Sequence, residues 1–112
     1  MKILNFYPYY EALLRTRTKS TTIRFGDQTE KYHVGDDVII TVGWNEESVK
    51  EVGKAYITSV QRKKVKEIDQ TDLNGEGPDF RNVEAAKYVL SAIYRKIVDE
   101  ADTVTIVKWK RL

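Results

Sequence analysis

The sequence predicts an α+β fold, a small β-barrel with flanking helices. Three observations carry that expectation. Short β-branched or alternating apolar runs recur about five times along the chain. One long amphipathic helical pattern comes late, and strands and helices do not alternate as a doubly wound parallel sheet requires. Internal repeats, low-complexity tracts and linkers are missing, so residues 1–112 read as one domain.

The elements follow in order. Lys2–Phe6 alternates enough for a short strand, and Pro8 then opens a short helix over Tyr9–Arg15 that turns Leu13 and Leu14 inward. Thr21–Arg24 is β-branched and extended. Alternate residues of an extended segment share a face, which sets Thr22 and Arg24 opposite Thr21 and Ile23, with Ile23 in the core. Val34–Asp37 suits a turn into a strand over Val38–Val42, whose apolar face is Val38, Ile40 and Val42. Trp44–Val52 is polar and acidic and suits an exposed loop, with Trp44 a better candidate for exposure than Trp109.

Gly53–Val60 returns as a strand, and Arg62, Lys63, Lys64 and Lys66 follow it as a solvated strand end. Asn74–Pro78 has the composition of an irregular loop, with Asp79 placed to cap the next helix. Ala86, Leu90, Ile93 and Ile97 then recur at helical spacing, opposite a polar stripe of Glu84, Lys87, Ser91 and Arg95. Thr103–Trp109 is the closing strand, with Trp109 in the core.

Composition narrows the chemistry. With 41% hydrophobic and 11% aromatic residues, a 112-residue chain buries enough apolar surface to fold without metal or disulfide. No stretch approaches the roughly 18 apolar residues of a membrane span, and no basic start with an apolar core opens the chain, so a cytoplasmic protein without a membrane partner is expected. The lack of cysteine excludes disulfides and thiolate catalysis. The single histidine, His33, builds no histidine-rich metal site, and no Gly-x-Ser-x-Gly elbow supports a serine triad around it. Phosphate-binding and dinucleotide loops are also missing, and the expectation is no cofactor and no metal.

The formal charge of +2, from 19 basic and 17 acidic residues, does not by itself mark a nucleic-acid binder. Its distribution is more informative. Ala12–Gly26 carries Arg15, Arg17, Lys19 and Arg24 and no acid, and Lys19-Ser20-Thr21-Thr22-Ile23-Arg24 gathers two cations and several hydroxyls at the mouth of a strand. Such a cluster suits an anion or a polar ring, and it also suits a solvated face balanced by acids nearby in space. Tyr7, Tyr9, Tyr10, Tyr32 and Trp44 stack on bases if they ring the same cleft.

These residues resemble the ASCH family, whose N-terminal signature is a Gly-x-Lys-Thr-x-Thr-x-Arg pattern entering a barrel. Lys19, Ser20, Thr22 and Arg24 match its K-[ST]-x-T-x-R part, while Arg17 stands where the family usually has Gly. The resemblance runs on through Tyr32–Val38, Val52–Ile57, Ile93-Tyr94 and Val104–Trp109, and so covers nearly the whole chain. It implies a fold similar to PUA domains and a role near RNA or modified nucleosides, with the barrel cleft as the binding site and Arg17, Lys19, Ser20, Thr22 and Arg24 as ligand contacts. A bacterial branch of the family hydrolyses the acetyl amide of acetylcytidine with a Lys, a Thr and a Glu, which carry over as Lys19, Thr22 and Glu76.

The implied chemistry sets a condition. A free lysine has a pKa near 10.4, so only about one in 2,500 is a neutral amine at pH 7. Activation by roughly three units needs about 4 kcal/mol of bias against the ammonium, from desolvation or a cation such as Arg24. A carboxylate at Glu76 works the other way unless it takes the proton itself. Thr22 suits an oxyanion donor, and Arg24 suits a carbonyl or phosphate. The preferred function is an RNA- or modified-nucleoside-binding module with a cationic cleft, and the alternative is a metal-independent amidohydrolase acting on acetylated cytidine or related acylated nucleosides. A third, a partner-binding adaptor using the polar stripe of the late helix, has less in the sequence to support it.

Overall fold

A computed structural model describes residues 1–45 and 47–112. Its elements are β1 (Lys2–Phe6), a 3-10 turn (Pro8–Tyr10), α1 (Glu11–Arg15), β2 (Thr21–Phe25), β3 (Asp37–Val42), β4 (Lys50–Lys64), a second 3-10 turn (Val65–Glu67), α2 (Gln70–Asn74), α3 (Val83–Tyr94) and β5 (Thr103–Arg111). The strands form one curled sheet in the order β1-β3-β4-β5-β2. β1 runs parallel to β3, with Leu4 beside Ile40, and every other pairing is antiparallel. β4 is long enough to pair along both neighbours. It bends where the register shifts leave Val52 and Thr58 unpaired, and such bulges are how a strand adds curl.

The curl divides the core in two. Inside it, Leu4, Phe6, Val38, Ile40, Ile57 and Trp109 form part of one cluster, closed by Tyr10 and Leu14. On the other face, Ile23, Val104 and Ile106 pack with Leu73, Ala86 and Leu90 of the helices. β5 serves both, Val107 and Trp109 facing inward and Val104 and Ile106 facing α3, so it is apolar on both sides. β2 inherits the same division through its register, Thr22 beside Val107 and Ile23 beside Ile106. Ile23 therefore anchors the strand under α3 and leaves Thr22 and Arg24 on the inner face.

The structure corrects four expectations. Ile97 is not on the buried face of α3 but 92% exposed, because Arg95 adopts a left-handed conformation (φ 55°) that ends the helix at Tyr94. Val98 fills the core position instead, its N–H donating to the Ser91 hydroxyl. The helix is capped by Asn82, which accepts from the Ala85 N–H at 2.8 Å, and not by Asp79. The strand expected over Gly53–Val60 extends from Lys50 to Lys64, which takes in the end of the expected Trp44–Val52 loop as well as Arg62, Lys63 and Lys64. Of that loop, Glu46 lies outside the described residues. Finally, Gln70–Asn74 is helical, capped by Asp69 at the Asp72 N–H. Asp72 is fully buried between Lys63 and Lys108, at 2.8 and 3.0 Å, so part of the expected solvated strand end is an internal ion cluster.

Among the described residues, no helix is long and apolar enough to cross a membrane.

Candidate functional site

The two edge strands, β1 and β2, do not pair, and a cleft opens between them. Arg24 bridges the gap, donating from Nη2 to the Asn5 carbonyl at 2.8 Å. Behind it lies a cavity of about 220 Å³, lined by Lys19, Thr22, Arg24 and Glu76 among polar residues and by Phe6 and Tyr10 among aromatic ones. That is below the 300–1,000 Å³ of a pocket for a drug-sized ligand, and it suits one ring with a small substituent.

Local structure delivers each side chain. α1 ends in a turn at Arg17, whose φ of 62° is the left-handed conformation that glycine adopts at no cost. Arg17 thus makes the glycine-type turn without being glycine, and Lys19 N–H closes it on the Leu13 carbonyl. Ser20 and Thr21 then donate both N–H groups to the carbonyl of Gly75, just past α2. A Cβ on Gly75 would stand 2.2 Å from Thr21 Oγ1, so glycine is what lets the two segments meet. Their contact carries Glu76 under the start of β2.

Glu76 and Lys19 meet there, 3% and 1% exposed. Lys19 Nζ contacts Glu76 Oε1 and donates to the carbonyls of Thr21 at 2.9 Å and Glu76 at 3.0 Å. Glu76 Oε2 accepts the Ile23 N–H at 2.6 Å. Burial pushes the Lys19 pKa down, opposed by the charge of Glu76, and burial pushes the Glu76 pKa up, opposed by Lys19. The two shifts draw the groups toward one proton affinity. Both proton positions satisfy every partner: an ammonium donates three bonds, while a neutral amine donates two to the carbonyls and accepts the third from a Glu76 carboxylic acid. The proton can cross without moving a heavy atom. The Phe6 and Tyr10 rings, with centroids 5.4 and 4.9 Å from Nζ, favour the ammonium.

Thr22, 6% exposed, lines the cavity, and Arg24 Nε approaches its hydroxyl oxygen at a long 3.4 Å. That leaves the hydroxyl hydrogen free to donate into the cavity. Arg24 is held by Asn5 and lies 5.2 Å from the Phe6 ring centroid. Asp79, exposed and not part of the cavity lining, is a second acid near Tyr10. It accepts from the Tyr10 hydroxyl at 3.4 Å, and burial together with hydrogen bonding to Tyr9 holds that phenol protonated.

The structure therefore brings Lys19, Thr22, Arg24 and Glu76 together, and leaves Ser20 and Arg17 outside the cavity wall. Arg17 is exposed, and the Arg111 charge is disfavoured first by burial and then by the nearby Arg17 and Arg15. The basic segment is also less cationic than its composition suggests. Arg15 pairs with Glu11 at 2.7 Å and Lys19 with Glu76, so Arg24 is the cation that the cleft keeps. Phe6, Phe80 and Tyr94 line the cavity without having been expected to. The alternation of β1 was the available signal for Phe6. Nothing local marks the other two. No three His, Asp or Glu side chains are grouped to hold a metal ion among the described residues.

A curled mixed sheet with an open seam, a short helix before β2 and a long one before β5 defines a class of small α+β barrel. The chain has the ASCH-domain fold. It superposes on the ASCH domain from Lactobacillus crispatus JV V101 with a TM-score of 0.69 at 15% identity, over 98% of this chain and 79% of that one. A protein of the DUF984 family model from Enterococcus faecalis V583 gives 0.73 at 12% identity, over 100% and 76%. A mutant ASCH protein from Zymomonas mobilis gives 0.54 at 13% identity, over 96% and 67%. No protein-family model matches the sequence, and no curated protein matches it either.

Proposed function

We propose that the cleft binds a modified nucleobase, free or carried on RNA, and that the Lys19–Glu76 pair hydrolyses an acyl amide on that base without a metal. The observation that carries this reading is the contact of the two side chains in a ring-sized cavity that Thr22 also lines. The net-neutral pair accepts the proton of an attacking water and so becomes ammonium plus carboxylic acid. Thr22 donates to the oxyanion as the water oxygen bonds to the carbonyl carbon. The tetrahedral intermediate then expels the base's exocyclic nitrogen, which takes the proton back from the pair, leaving a free amine and a carboxylic acid. Arg24 fixes a ring carbonyl or phosphate at the seam. The reading treats residues 1–112 as one ASCH-type domain, since the first and last strands share a sheet, and expects it in the cytoplasm, where RNA and nucleosides meet it.

The test is incubation of the purified protein with acetylcytidine, following cytidine release by chromatography. Release that disappears in Lys19→Ala and Glu76→Gln supports the reading. No release from the wild type sinks the hydrolysis, and binding of the same nucleoside in that case leaves the cleft as a recognition module.

A further inference from the structure

The rim of the cleft carries aromatic surface that the proposed hydrolysis does not use. Tyr9 and Trp44 are 57% and 67% exposed. With Tyr7 and Tyr10 they form a ladder leading out of the cavity. Ring centroids are 4.4 Å apart from Tyr10 to Tyr9, 6.0 Å from Tyr9 to Tyr7 and 5.4 Å from Tyr7 to Trp44, with planes tilted by 35–44°. Beside the ladder is a second hollow of about 400 Å³, which shares Tyr7 and Ile93 with the first and adds Tyr9, Trp44, Ala92 and Arg95. Three separate segments meet there: the 3-10 turn after β1, the loop after β3 and the end of α3.

Two features decide the occupant. Open aromatic faces next to a nucleobase-sized cavity suit a second base, because stacking accepts any base that presents a π-face. Arg95 supplies a cation at the same hollow, has no ion-pair partner among the described residues, and sits in a left-handed conformation that side chains rarely adopt. We propose that this hollow is a second subsite, which stacks the base adjoining the one in the cleft while Arg95 meets the phosphate between them. The ligand is then an oligonucleotide, and not a free nucleoside. This rests on the nucleobase reading of the first cavity.

The test compares cytidine with the dinucleotide cytidylyl-adenosine and its reverse-order isomer, reading affinity by isothermal titration calorimetry and contact with Trp44 by fluorescence quenching. Trp109 is buried and Trp44 exposed, so quenching that vanishes in Trp44→Phe belongs to Trp44. At least one dinucleotide is expected to bind about ten-fold or more tightly than cytidine, to quench Trp44, and to fall to the affinity of cytidine in Trp44→Ala, with cytidine itself unaffected. Arg95→Ala should lower dinucleotide affinity and its salt dependence together. Cytidine binding with no dinucleotide advantage, or an advantage that survives Trp44→Ala, overturns the subsite and leaves the cleft standing. Dinucleotide binding with Trp44 quenching that survives Lys19→Ala and Arg24→Ala removes the cleft reading, and with it the assignment of the hollow to an adjoining base. Binding of neither ligand overturns both.

Discussion

Replacing Lys19 by Met should turn a pair that is indifferent to pH into a group that is not. In the wild type the folded pair holds one proton in either arrangement. The unfolded chain also holds one between the ordinary values of 4.5 for Glu76 and 10.5 for Lys19, on the lysine. Proton counts match, so the pair adds no slope to stability across that range, wherever the shared proton sits. Met keeps the stem and removes the cation. Glu76, 3% exposed and now without its partner, is held protonated by burial. The folded variant then binds one proton that the unfolded chain lacks above pH 4.5, and stability falls as pH rises. The slope is about 1.4 kcal/mol per pH unit for one proton, so the difference between variant and wild type should widen by about 3 kcal/mol from pH 5 to pH 7. Urea denaturation of both proteins at several pH values measures it, and the subtraction cancels every other titrating group. A difference that stays constant over that range would mean that Glu76 ionises freely in the folded variant. The site would then be wet, and the argument for a shared proton would fail.

Two further predictions concern the frame around the site. Arg17→Gly should stabilise the protein by about 1 kcal/mol, since the left-handed turn at φ 62° suits glycine and the Arg17 side chain is exposed; a raised melting temperature checks it. Leu90→Ala should cost about 2–5 kcal/mol in a denaturation experiment, while Ile97→Ala should change stability by less than about 0.5 kcal/mol, because the helical register ends before residue 97.

Where local pattern fixes an outcome, the sequence was legible. The alternation in Val38, Ile40 and Val42 placed one face of β3 in the core, and the β-branched run from Thr103 placed β5, because strand geometry requires only that neighbours alternate. The same rule separated Thr22 and Arg24 from Ile23. Trp44 lies open and Trp109 is buried, as their segments implied. Ile97 was misassigned because helical spacing continues in sequence after the backbone has left the helix. Only the left-handed Arg95 ends the pattern, and Arg is a poor signal for that conformation. α2 was missed because five residues between a capping Asp and a Gly are too few to show a period.

The strand faces, the amphipathic α3 and the Lys-Ser-x-Thr-x-Arg cluster all depend on residues within a few positions of each other, and so were legible in the chain. Long-range packing brings Glu76 against Lys19, 57 residues away, and sets Arg24 across two unpaired strand edges. It also decided that a segment with four cations and no acid keeps little net charge in the cleft. The physical reason is the close approach at Gly75. A carboxylate and an ammonium alter each other's proton affinity only within a few ångströms and out of water, and no local pattern encodes either the distance or the burial.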